Sequence, residues 1–99
     1  MARNTLRRYY NLGEKRLIEW DIRSNDENDV FVINKDPEYT RYEIYKNGSE
    51  ERIAKGELSI KDKRVSFIFN ANEEGEFLIK IFVTVPPETV STELIAQVK

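Results

Sequence analysis

The chain of 99 residues has no cysteine, no histidine, only four glycines and three prolines, and no apolar run approaching the ~20 residues of a membrane span. Without cysteine there can be no disulfide, so the fold must stand on packing alone. Thiol nucleophiles, serine–histidine couples and nearly all zinc sites are excluded with those two residue types. Residues 1–11 carry Arg3, Arg7 and Arg8 but no apolar stretch, unlike a secretory leader, and the chain is expected to fold and work without export. There is no glycine-rich phosphate loop and no nucleophile elbow. Carboxylates are plentiful, yet none stands as an isolated pair in apolar surroundings that would perturb its pKa. The expectation is a protein that is not an enzyme, with no cofactor, no small-molecule substrate and no membrane contact.

What is present is balanced charge and aromatic weight. Sixteen Lys and Arg face eighteen Asp and Glu, a formal net charge of -2, whereas a dedicated nucleic-acid binder carries a basic excess. Five Phe, five Tyr and one Trp can build a core, and the length fits one domain, residues 1–99.

Alternation with a period of two recurs along the chain, and helical spacing hardly appears. Ile18, Trp20 and Ile22 alternate with Glu19, Asp21 and Arg23, a strand with one wet face. Val30 to Ile33 is short and β-branched, which suits a strand covered on both faces. Thr40, Tyr42 and Ile44 alternate with Arg41, Glu43 and Tyr45 and end at the turn signal Asn47-Gly48. Residues 53–60 predict one or two weaker strands around Gly56, read as a bulge or a crossing. Val65, Phe67 and Phe69 mark the next strand. The segment 77–85 gives the longest one-faced strand, stopped by Pro86-Pro87. Residues 90–98 supply a last strand with Leu94, Ala96 and Val98 on one side, and residues 6–12 an early one. Seven or eight short strands with turn signals every 8–12 residues mean an all-β sandwich or small barrel.

The stretch Glu73-Glu74-Gly75-Glu76-Phe77 resembles the acidic-x-Gly-x-Tyr corner before a late core strand of immunoglobulin-like domains. Phe77 stands at the tyrosine position and Ile79 where antibody domains carry cysteine. A wider order of features runs from Gly13-Glu14 through Ile18, Trp20 and Ile22, Tyr42, Ile44 and Tyr45, Gly56, and Val65, Phe67 and Phe69 to Pro87-Glu88-Thr89. In that order they resemble the small immunoglobulin-like proteins of tailed-phage virions, the head, neck and baseplate components. The resemblance implies an immunoglobulin-like antiparallel β-sandwich of seven or eight strands acting as a virion structural or assembly protein. It implies other virion proteins or copies of the chain as partners, and the virion, assembled in the host cytoplasm, as location. Two other functions suit the same residues: a bacterial adapter or ligand-binding module, and a barrel that binds single-stranded nucleic acid.

Three groups of residues are candidates for contact. If the strands through Phe67 and Ile79 form a hairpin, Phe69 meets Phe77, Phe67 meets Ile79 and Val65 meets Ile81, all inward. Ile68, Leu78 and Phe82 then share the other face as an exposed apolar cluster, a mark of protein–protein contact. The alternative is that the N-terminal segment or a long loop covers them. Arg7, Arg8, Tyr9 and Tyr10 form the second group, a basic arm that docks on a neighbour or a charged edge strand. The third is Asp26-Glu27-Asn28-Asp29 near Asp21, which lacks EF-hand spacing and reads as a solvated loop with no metal.

Overall fold

The computed structural model describes residues 6–22 and 32–99. Among the described residues eight strands follow in chain order: β1 (Leu6–Tyr10), β2 (Lys15–Asp21), β3 (Arg41–Lys46), β4 (Arg52–Glu57), β5 (Ser59–Lys61), β6 (Arg64–Asn70), β7 (Gly75–Val85) and β8 (Glu88–Val98). No helix occurs among the described residues. The strands form a five-stranded sheet, β1-β8-β7-β3-β4, and a three-stranded sheet, β2-β6-β5. Neighbours are antiparallel except β1 and β8, which run parallel. Both sheets contribute to one apolar core; the architecture is a two-sheet β-sandwich and not a closed barrel.

The two-residue period is what lets the sandwich form. In β6, Val65, Phe67 and Phe69 are buried while Arg64, Ile68 and Asn70 are exposed; in β7, Phe77, Ile79, Ile81 and Val83 are buried. Ile18 from β2 and Leu94, Ala96 and Val98 from β8 complete the same core. Tyr42 stacks on Phe67 across the gap between the sheets, with ring centroids 4.1 Å apart. This is why β4 carries Gly56, which lies opposite Tyr42 in the ladder. A Cβ there would fall 2.6–2.8 Å from the Tyr42 hydroxyl and ring. Gly56 marks a close approach, in place of the bulge or crossing expected from sequence.

The hairpin expected between the Phe67 and Ile79 strands does not form. β6 lies between β2 and β5 in one sheet and β7 between β8 and β3 in the other, so the two strands face each other across the core instead of sharing a ladder. At the end of β6, Ala71 is buried; its N–H donates to the Glu14 carbonyl at 2.8 Å and its carbonyl accepts from the Gly13 N–H at 2.7 Å. That contact ties the chain to the β1–β2 turn, and residues 72–74 cross to the other sheet. Gly75 opens β7 at φ +132°, a conformation only glycine adopts readily. The inward set of six residues is as expected, because a crossing and a hairpin bury the same alternate positions.

The expected strand Val30 to Ile33 is also corrected. Val30 and Phe31 lie outside the described residues, but Val32 and Ile33 belong to no strand. Ile33 is buried while Val32 is 75% exposed, so this is an extended segment dropping one side chain into the core. The Asn34 N–H donates to the Thr84 carbonyl at 2.8 Å and holds it there. The acidic loop 26–29 lies outside the described residues.

Candidate functional site

Because β6 and β7 belong to different sheets, their outward residues point in opposite directions. The cluster of Ile68 with Leu78 and Phe82 therefore does not exist. Ile68 is on the outer face of the three-stranded sheet, where its cross-strand neighbour is Leu17; both are well exposed. They stand in a charged setting, with Arg64 Nε donating to the Asp21 carboxylate at 2.8 Å and Arg64 Nη1 lying 3.4 Å from Glu19.

Leu78 and Phe82 lie on the outer face of the five-stranded sheet, and there they do have apolar company. One row across the sheet reads Tyr45, Leu78, Ile95 and Arg7. The next reads Lys55, Glu43, Lys80 and Glu93, and a third Glu57, Arg41, Phe82 and Ser91. Tyr45, Leu78, Phe82 and Ile95 are each half-buried. They come from three adjacent strands and form the apolar part of a broad, mostly polar face.

Its own cations partly cover this apolar surface. The Arg41 guanidinium sits 4.6 Å above the Phe82 ring and Lys80 Nζ 4.8 Å above Tyr45, the favourable placement of positive charge over an aromatic face. Beneath them Glu43 is buried. Its carboxylate accepts from Arg41 Nε at 2.7 Å and from the Tyr45 hydroxyl, with Arg52 Nη1 3.8 Å away. Burial pushes the Glu43 pKa upward, but the Tyr45 and Arg41 hydrogen bonds and the two arginine charges outweigh it and hold the carboxyl below its ordinary value. Glu43 is thus a fixed negative charge at neutral pH, suited to orienting Arg41 and Tyr45 and not to carrying a proton. Arg41 also donates through Nη1 to the Glu38 carbonyl at 2.6 Å. Beside it, an open groove of about 520 Å³ is lined by Glu38, Arg41, Arg52, Lys55 and Glu57.

The N-terminal candidates divide. Residues 6–10 form an edge strand along β8 and not a free arm. Arg7 faces the five-stranded surface, ion-paired to Glu76 and 3.2 Å from the Gln97 side-chain oxygen. Tyr9 is 65% exposed, with Lys99 Nζ 5.9 Å from its ring, and Arg8 is exposed on the alternate side. Tyr10 is corrected: it is buried and packs against Phe69 with centroids 5.3 Å apart, a core residue and not a contact residue. Burial is the main cause that raises its hydroxyl pKa, against the lowering effect of Arg8 and Arg16.

Tyr45, Ile95, Lys80 and Glu93 were not singled out from the sequence as site residues. The signal was there, since Tyr45 alternates with Tyr42 and Ile44, and Ile95 with Leu94 and Ala96. What was missing was the strand order that makes them neighbours. Comparison with family models, curated proteins and solved structures found no match.

Proposed function

We propose that the chain is an immunoglobulin-like β-sandwich that acts without catalysis, by binding protein through the outer face of its five-stranded sheet. One observation carries the reading: Tyr45, Leu78, Phe82 and Ile95 gather on a face that points away from the core. The apolar and aromatic side chains lie on either side of the charged row of Glu43, Lys80 and Glu93, and a surface that mixes aromatic, aliphatic and charged groups in this way suits contact with protein. The immunoglobulin-like part is supported by the division of strands. One sheet takes the second, sixth and fifth strands, and the other pairs the last with the seventh, third and fourth, as a variable-type immunoglobulin domain does without its extra edge strand. It is supported further by Gly75 at positive φ just before buried Phe77. Ile18 and Ile79, both fully buried, stand in the second and seventh strands, where antibody domains place their disulfide. The motif order adds the setting: a structural or assembly protein of a tailed-phage virion, in contact with other virion proteins or copies of itself.

Charge placed in the centre of the face tests the reading. Leu78→Glu and Phe82→Glu are expected to weaken partner binding or assembly by about tenfold or more, while the urea midpoint shows both variants folded. Leu17→Glu and Ile68→Glu, on the opposite sheet, are expected to leave binding unchanged. The reverse pattern would move the contact surface to the three-stranded sheet.

A further inference from the structure

Lys80 and Glu93 are direct cross-strand neighbours at the β7–β8 seam, yet they do not form an ion pair. Lys80 leans the other way, over the Tyr45 ring at 4.8 Å. Glu93 is half-buried and has no hydrogen bond or ion pair among the described residues. Beside them, Leu78 faces Ile95 across the same seam. The seam thus carries two half-complements: a cation and an open carboxylate at equal distance from its midline, and two aliphatic side chains placed the same way.

We infer that the partner seated on this face is a second copy of the chain, related by a two-fold axis that runs in the interface along the β7–β8 seam. Rotation about that axis exchanges β7 and β8. Lys80 then meets the partner's Glu93, and Glu93 meets the partner's Lys80. Leu78 comes against the partner's Ile95, and Ile95 against the partner's Leu78. This is the self-complementarity an isologous interface requires, and it supplies the half-buried carboxylate with the cation it lacks. The strands that overlap in this arrangement, β1, β8, β7 and β3, at about 4.8 Å between strands and ~3.4 Å per residue, give a projected face on the order of 500 Å². A stable interface takes about 800 Å² per partner, so side chains at the rim complete it. The inference rests on the reading of this face as a protein-binding surface, and it names the occupant.

Sedimentation equilibrium of the purified full chain, with charge-reversed variants, tests it. The wild type is expected to be a dimer, and Lys80→Glu and Glu93→Lys each to raise the dimer dissociation constant by at least about tenfold, since each sets like charges against one another. Mixing the two variants is expected to restore dimerisation as a heterodimer, because one chain then offers two carboxylates and the other two ammonium groups. Mixing leaves each chain's internal charge repulsion in place, so restoration reports only the contact between chains. A wild type that stays monomeric, or a mixture that associates no better than either variant alone, overturns the self-pairing. If self-pairing fails while Leu78→Glu still abolishes binding to another protein, the binding face stands and only its occupant changes.

Discussion

Replacing Gly56 by alanine is expected to lower the unfolding free energy by about 1–3 kcal/mol and the thermal midpoint by roughly 5–20 °C. Alanine would ordinarily help an extended position, because it narrows the unfolded ensemble by about 0.4–1 kcal/mol. Here its methyl group would lie 2.6–2.8 Å from the Tyr42 hydroxyl and ring carbons. The ring is held in place because it stacks on Phe67 at 4.1 Å with the planes 13° apart. Moving it would open the contact that joins the two sheets at that point. The overpacking therefore outweighs the entropic gain. Urea unfolding of Gly56→Ala in the wild type and in a Tyr42→Leu background separates the two effects. With the ring removed, the alanine should become neutral or stabilising; a loss of the same size in both backgrounds would rule out the close approach as the reason for the glycine.

Glu43→Ala is expected to cost about 1.5–2 kcal/mol at pH 7, from the loss of charge-assisted hydrogen bonds. The value sits low in the usual range because Arg41 and Tyr45 remain half-exposed and can be rehydrated once the carboxylate is gone. The same residue gives stability a pH dependence of definite sign. Its folded pKa lies below the ordinary 4.5, so its contribution is fully present above that value. It is lost as the pH falls from about 4.5 through the folded pKa. Glu76, held down first by the Asn47 amide and then by Arg7, adds to the slope in the same direction. Glu43→Gln should therefore flatten the acid limb of the stability curve, measured as the urea midpoint between pH 6 and 3. An unchanged acid limb would mean that the Glu43 carboxylate gains nothing from its two arginines.

The fold was legible wherever burial decides the pattern. The alternation of Val65, Phe67 and Phe69, and of Phe77, Ile79, Ile81 and Val83, is a direct record of which side chains the core takes up. The turn at Asn47-Gly48 and the stop at Pro86-Pro87 were legible because residue chemistry sets both. Strand order was not. Whether the chain reverses or crosses after Asn70 depends on Ala71 bonding to Gly13 and Glu14, a contact between residues far apart in sequence. That one crossing separates Ile68 from Leu78 and Phe82. The proposed binding face was half legible for the same reason. Each strand reveals which of its residues face outward, but only the order β8-β7-β3 brings Ile95, Leu78 and Tyr45 into one row. Tyr10 misled because it resembles Tyr9 in every local respect, while the strand's alternation buries one and exposes the other.

On the proposed reading, the face lets a chain with balanced charge offer a specific contact. Arg41 and Lys80 lie over Phe82 and Tyr45, so the aromatic surface is screened from water in the free chain and its exposed apolar area stays small. Glu43 fixes Arg41 in that position, which limits the side-chain ordering that binding would require.

Site-specific photo-cross-linking tests the central claim most directly. Benzoylphenylalanine replaces Phe82 in one variant and Ile68 in another, each is expressed in the source cell, and covalent adducts are sized after irradiation. An adduct is expected from position 82, at twice the chain mass if the partner is a second copy, and none from position 68. An adduct from position 68 with none from position 82 would contradict that claim and place the working surface on the three-stranded sheet.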